Sequence, residues 1–115
     1  MDQFKGKVVL LDFWGQWCAP CVKNLPSVEE LHVKYKDMGL VVIGVHSADR
    51  SEKLENFLKE KKITFPVMID QGPTAMRYLV ESWPTYFLID KSGKVTWGFA
   101  QDYPSNGQIE ELLKK

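Results

Sequence analysis

The architecture of this chain is decided by residues 8–21, which read VVLLDFWGQWCAPC. The first half is a continuous apolar run, which is typical of a central β-strand covered on both faces, and only Asp12 interrupts it. The second half carries two cysteines, Cys18 and Cys21, on either side of Pro20, which favours the first turn of a helix. The stretch therefore predicts a buried strand that leads directly into a helix bearing a closely spaced cysteine pair.

The apolar residues that follow predict a strand–helix–strand unit. Residues 19–37 place apolar side chains three and four positions apart, the period of an amphipathic helix, with Pro26 expected to kink it and Gly39 to end it. Residues 40–46 repeat the buried-strand pattern, so the two strands are predicted to be parallel and the fold class α/β. The predicted buried stripe of the helix consists of Val22, Leu25, Val28, Leu31 and Tyr35.

The rest of the chain continues with alternating strand and helix signals. The predicted elements are a helix from an Asp49–Glu52 capping box to about Lys61, a strand at 67–69, a brief helix at 73–79, strands at 85–89 and 95–99, and a last helix after a Ser105–Gln108 capping box. Because residues 90–93 have turn chemistry, the strands on either side are expected to form an antiparallel hairpin. The predicted order is βαβαβαββα.

Length and composition limit the classes of function. The chain has 115 residues, of which 44% are hydrophobic and 26% charged, so residues 1–115 are expected to form a single domain. Fifteen basic residues balance fifteen acidic ones, and this balance excludes a general attraction to nucleic acid or anionic membranes. No apolar stretch approaches the roughly 20 residues of a membrane span, and the N-terminus lacks a signal-peptide pattern.

The position of the cysteines favours redox chemistry. At a strand-to-helix junction, unpaired backbone N–H groups and the helix dipole stabilise a thiolate, so Cys18 is predicted to have a lowered pKa and to be the exposed nucleophile. Cys21, nearly one turn further along, is predicted to be the more buried, resolving thiol. A zinc site is disfavoured because only His32 and His46 could complete it, without metal-site spacing. We expect no metal ion and no organic cofactor.

The segment Asp12–Cys21, together with Trp83-Pro84-Thr85 before a strand, resembles the thioredoxin superfamily. Two further segments, Ile63–Val67 and Phe87–Lys94, are more similar to its TlpA/ResA-like branch, which contains exported or membrane-tethered thiol–disulfide oxidoreductases. The resemblance covers nearly the whole chain. It implies a thioredoxin fold, with a central mixed β-sheet flanked by helices and an αβ insertion. The N-terminal hairpin of that branch is expected to be missing.

The resemblance also implies roles for residues around the cysteines. Pro84 corresponds to the family's cis-proline, which lies against the disulfide and offers backbone groups to an incoming peptide. Trp17, Ala19 and Pro20 are expected to form the substrate surface with it. Trp83 is bulky for its position, so it is expected to narrow this groove, to stack on a substrate side chain or to fill the core.

Asp12 and His46 are the polar residues that need a separate explanation. An acid within a buried strand is predicted to have a raised pKa through desolvation, and Asp12 is the candidate acceptor for the proton of Cys21. The alternative is a structural aspartate satisfied by backbone or lysine neighbours. In the resembled branch a Glu often stands where this chain has Asn24, so Asp12 is expected to take over its role. For His46, a satisfied surface histidine is favoured over an acid–base or steering role.

These observations predict a thiol–disulfide oxidoreductase that reduces protein disulfides through a mixed disulfide. Its partners would be protein disulfide or dithiol clients and an upstream reductant, and a monomer is expected. The alternative is a redox-inert interaction or metal-chaperone module. Direct peroxide reduction is disfavoured because Gly15 and Leu11 stand where peroxiredoxins carry Thr and Pro. The predicted location is extracytoplasmic, in the periplasm or cell envelope, if the chain is part of a longer exported protein, and cytoplasmic otherwise.

Overall fold

The structure, a computed structural model, describes residues 4–47, 52–70 and 83–115. Within these ranges five strands form one mixed sheet, and they are β1 (Val8–Trp14), β2 (Leu40–Ser47), β3 (Val67–Asp70), β4 (Thr85–Ile89) and β5 (Val95–Ala100). Their order in the sheet is β3-β2-β1-β4-β5. The β1–β2 and β2–β3 pairs are parallel, whereas the β1–β4 and β4–β5 pairs are antiparallel.

The central strand, β1, is buried along its whole length, as its continuous apolar run predicts. Its residues alternate between two apolar clusters, one on each face of the sheet. Leu10 and Trp14 belong to the first cluster, which includes residues of all three described helices, whereas Leu11 and Phe13 belong to the second. The sheet therefore has a packed core on both faces, and the carboxyl end of β1 is enclosed by neighbouring strands.

In the part of the chain that the structure describes, three helices flank the sheet: α1 (Ala19–Tyr35), α2 (Leu54–Glu60) and α3 (Asn106–Lys114). A short 3₁₀ turn at Lys36–Met38 follows α1, and Gly39 ends it with a φ of 109°, a left-handed conformation that glycine adopts without strain.

The buried stripe of α1 begins at Cys21 instead of the predicted Val22, which is only half-buried. The register of the helix thus turns the second cysteine toward the sheet.

The start of α3 and the turn between β4 and β5 form as the sequence predicts. In the capping box of α3, the Gln108 N–H donates to Ser105 Oγ at 3.2 Å, and the Ser105 N–H donates to Gln108 Oε1 at 2.9 Å. In the turn between β4 and β5, the Asp90 carboxylate accepts from the backbone N–H groups of Ser92 and Lys94, each at 2.9 Å. Both predictions are confirmed.

The predicted start of α2 is wrong. The helix begins at Leu54 after Lys53, whose side chain makes no cap hydrogen bond, and Glu52 lies in a turn before the helix. Burial of Leu54 against the core, rather than a polar cap, determines this start. Asp49 and the predicted helix at 73–79 lie outside the described residues. None of the helices within the described ranges is long and apolar enough to cross a membrane.

Candidate active site

Cys18 and Cys21 are joined by a disulfide in the first turn of α1. Cys18 is the N-cap residue, and its Sγ accepts a hydrogen bond from the Cys21 backbone N–H at 3.3 Å. That N–H is one of the donors that the start of any helix leaves without a backbone partner. Pro20 occupies the second helical position, where no donor is needed. The Cys18 sulfur therefore lies at the positive end of the helix dipole.

Cys18 is more exposed than Cys21, as predicted, but the difference in exposure is smaller than predicted. Cys21 is 1% exposed and Cys18 is 6% exposed, so the expectation of an exposed nucleophile is wrong for the disulfide form. The Cys18 side chain folds back over the helix end to cap it and to bond Cys21, which removes it from solvent. Ala19 and Pro20 are exposed beside it. Among the described residues, no group of three or more His, Cys, Asp or Glu side chains is arranged to hold a metal ion.

Two tryptophans meet next to the disulfide. Trp17 is 37% exposed, and its ring makes an edge-to-face contact with that of half-buried Trp83, with centroids 5.6 Å apart. The peptide bond between Trp83 and Pro84 is cis. The Trp17 ring also covers Gly15, where a Cβ atom would come within 2.6 Å of it. A cavity of about 340 Å³ beside this pair is lined by Gln16, Trp17, Glu52 and Lys53.

Asp12 is completely buried at the centre of β1. Neither carboxyl oxygen has a hydrogen-bond partner among the described residues, so Asp12 bonds to neither cysteine. Burial raises its pKa from the usual 3.8 to about 8, in the predicted direction, and none of the described backbone or lysine groups satisfies the carboxyl. The alternation of β1 puts Asp12 on the same face as Leu10 and Trp14, the face on which Cys21 packs.

A polar pair that the sequence analysis did not predict lies next to Asp12. Tyr86, opposite Asp12 on β4, is buried, and its Oη accepts a hydrogen bond from Asn24 Nδ2 at 3.2 Å. The same Nδ2 lies 3.5 Å from Asp102 Oδ1. Burial, and after it the charge of Asp12, raises the pKa of Tyr86. The only available signal was a tyrosine inside an otherwise apolar strand two residues after Pro84.

His46 is buried, so the favoured surface histidine is wrong. It is 0% exposed, because its ring packs edge-to-face against Trp14 with centroids 4.8 Å apart. Its Nδ1 bonds the carbonyl oxygen of Ser47, and its Nε2 accepts from the Gln16 backbone N–H at 3.0 Å. Burial lowers the pKa of His46, while the bond to Ser47 opposes that shift. These partners fit a neutral imidazole that carries its proton on Nδ1.

Comparison with known proteins places this arrangement in a family. Residues 1–113 match the Redoxin family. The chain belongs to the redoxin family. This redoxin is 42% identical over 116 residues to thiol-disulfide oxidoreductase ResA of Bacillus thuringiensis, an alignment that covers 100% of the chain and 66% of the relative. The chain thus spans just under two thirds of the length of that relative.

Solved structures agree with this assignment. A protein from Chlorobium tepidum described as thiol:disulfide interchange protein DsbE has a TM-score of 0.83 and 33% identity, with 98% of this redoxin and 81% of that chain covered. The exposed lipoprotein thioredoxin Etrx1 of Streptococcus pneumoniae has a TM-score of 0.79 and 31% identity, with 98% and 87% covered. The predicted thioredoxin fold and the resemblance to ResA-like proteins are confirmed, and the names of these relatives support a redox function.

Proposed function

We propose that this redoxin is a thiol–disulfide oxidoreductase that reduces protein disulfides with Cys18 and Cys21. The observation that carries the proposal is the position of Cys18 Sγ, which caps the N-terminus of α1 and bonds Cys21 within the same turn. When the disulfide is reduced, the same N–H group and helix dipole stabilise a Cys18 thiolate. A sulfur that ionises easily and has a second sulfur within bonding reach suits two-electron exchange.

The reaction proceeds by two exchanges at sulfur. The Cys18 thiolate attacks one sulfur of the client disulfide, forms a mixed disulfide and releases the first client thiolate. Cys21 then gives up its proton and attacks Cys18 Sγ, which closes the Cys18–Cys21 disulfide and releases the second client thiolate. Two electrons pass from the dithiol to the client, and a separate thiol reductant restores the dithiol.

Asp12 is the proposed acceptor for the Cys21 proton, directly or through water. Its carboxyl shares a face of the sheet with the cluster that contains Cys21, and its oxygens have no competing partner among the described residues. Its pKa of about 8 lies much nearer to the roughly 8.5 of a free thiol than the usual 3.8 does, so transfer of a thiol proton to Asp12 costs less free energy than transfer to an ordinary aspartate. An aspartate with an ordinary pKa would be a much weaker base.

The client is proposed to bind across the exposed first turn and the aromatic pair. Ala19 and Pro20 are exposed, and the Trp17–Trp83 contact provides apolar area beside the disulfide, which is the kind of surface that protein partners bury. Pro84 follows Trp83 and is proposed to offer backbone groups to the client.

We further propose that residues 1–115 act as one monomeric domain. The exposed lipoprotein among the similar structures supports an extracytoplasmic location if this redoxin is part of a longer, exported protein.

Reduction of insulin disulfides, with dithiothreitol as the terminal reductant, tests the proposal. Wild type is expected to accelerate the reaction, and Cys18→Ser is expected to lose on the order of 10³-fold or fall to background, because the attacking thiolate is gone. Ser92→Ala, in the hairpin turn, is the matched control for expression and handling. Equal turnover in wild type and Cys18→Ser would contradict the proposal, and no turnover in either would favour the redox-inert module.

A further inference from the structure

The loop between β1 and α1 is held by a side chain from another strand. The Cys18 N–H donates to the Gly15 carbonyl oxygen at 3.1 Å and closes a turn over residues 15–18. Gln16, at the second position of this turn, directs its own N–H to His46 Nε2 at 3.0 Å. The backbone just before Cys18 is therefore anchored to the end of β2.

His46 is a rigid acceptor. Its ring is completely buried, packs against Trp14 and bonds the Ser47 carbonyl through Nδ1, so Nε2 is left to accept. The strand that carries it pairs on both sides, with Trp14 of β1 and Ile69 of β3 as the partners of His46. The position of Nε2 is thus determined by the sheet and not by the loop that it holds.

The Gln16 backbone in turn determines where Trp17 lies. The Trp17 ring covers Gly15 at one end of the turn and makes an edge-to-face contact with the Trp83 ring. Both contacts depend on the backbone conformation of the turn at residues 15–18. If the Gln16 N–H lost its acceptor, a partly buried donor would be left unpaired, and the turn would shift toward water to satisfy it.

We propose that His46 is a positioning residue of the client-binding surface, because its imidazole holds the Gln16 N–H and thereby keeps Trp17 beside the dithiol. The inference rests on the proposed function, since it assigns Trp17 to client binding. His46 bonds neither cysteine in the described structure. Its loss should therefore raise KM for a protein disulfide and leave kcat nearly unchanged.

Two pairs of variants separate the hydrogen bond from general effects on folding. His46→Leu removes the acceptor, whereas His46→Gln can place an amide oxygen near the position of Nε2. From the other side, Gln16→Pro removes the donor without touching the core, and proline is favoured at the second position of such turns. Gln16→Ala is its matched control, because it loses the side chain but keeps the N–H.

Hydrogen exchange at the Gln16 amide reports the bond without any enzymatic assay. In His46→Leu, exchange at this amide is expected to be about tenfold faster or more, while amides within β1 keep their protection, and His46→Gln is expected to restore most of the slow exchange. With insulin as the probe, KM is expected to rise roughly three- to tenfold in His46→Leu, and in Gln16→Pro relative to Gln16→Ala, with kcat within about twofold.

Each outcome decides the inference. Unchanged Gln16 exchange in a folded His46→Leu protein would overturn it, as would a fall in kcat at constant KM. If His46→Leu does not fold, the Gln16→Pro and Gln16→Ala pair decides, and equal KM values would contradict the inference. If wild type fails to reduce insulin, the proposed function fails, whereas the exchange measurement still decides whether His46 holds the loop.

Discussion

Asp12 and His46 are both completely buried on neighbouring strands of one sheet, but their surroundings differ. Both ring nitrogens of His46 are hydrogen-bonded, whereas both carboxyl oxygens of Asp12 lack a partner among the described residues. A buried polar group with partners costs little, and one without them costs several kcal/mol. This difference fits the two proposals, in which His46 holds the loop and Asp12 accepts the Cys21 proton at a cost in stability.

The same difference gives the two residues opposite effects on stability as pH changes. The pKa of Asp12 is raised, so between about pH 4 and pH 8 the folded state holds a proton that the unfolded state has lost, and stability falls as pH rises. The pKa of His46 is lowered, so below about pH 6.5 the unfolded state binds the extra proton, and stability falls as pH decreases. Single substitutions can therefore remove either dependence.

The largest effect is expected for Asp12→Asn on the free energy of unfolding. At pH 7 the variant should be more stable than wild type by on the order of 4 kcal/mol, because the neutral amide does not have to take up a proton on folding as the buried carboxyl does, at about 1.4 kcal/mol per pKa unit. Urea unfolding from pH 4 to pH 9 measures it, with exposed Asp37→Asn as the control. If the free energy of unfolding of Asp12→Asn falls with rising pH as steeply as that of wild type, the description of Asp12 as a buried carboxyl without a partner is contradicted.

A second effect of Asp12→Asn concerns the resolving step. Without the carboxylate, release of the second client thiol should slow by roughly 10²-fold, since general-base catalysis contributes about this much, and the inflection that Asp12 gives to the pH profile of this step near pH 8 should be lost. Rapid-quench measurement of mixed-disulfide decay follows the step directly. If decay in the variant keeps the rate and pH profile of wild type, Asp12 is not the proton acceptor.

The smallest effect is expected for His46→Gln. Removing the titrating ring should remove the contribution that opposes Asp12 below pH 6.5, so the stability of the variant should rise more steeply toward acid than that of wild type. The slope between pH 7 and pH 8 should stay intact, because that slope belongs to Asp12. The effect is modest because the bond to Ser47 opposes the shift caused by burial. Thermal unfolding between pH 4.5 and pH 8 compares the variant with wild type. If the dependence of stability on pH below 6.5 is the same in both proteins, His46 does not contribute to it.

The features that sequence predicts here depend on neighbours along the chain. The buried run of β1, the cysteines at the start of α1 and the Ser105–Gln108 capping box each carry their signal within a few residues. The burial of Asp12 follows from the same local pattern. These predictions therefore needed no knowledge of the tertiary structure.

The features that sequence missed depend on register between distant segments. Gln16 meets His46 only because β1 and β2 pair with Trp14 opposite His46, and Asn24 meets Tyr86 only because α1 packs over β4. No spacing in the sequence encodes these distances. The start of α2 was missed for a related reason, since a contact with the core outweighs a local capping pattern there.

Trapping of the mixed disulfide tests the central claim most directly. Cys21→Ser, mixed with insulin and analysed by mass spectrometry without reductant, should accumulate a covalent adduct through Cys18, because the resolving thiol is absent. Cys18→Ser should form little or none, since its remaining thiol is buried within the first turn of α1. Adducts that form equally through Cys21, or no adduct in either variant, would contradict the assigned roles of the two cysteines.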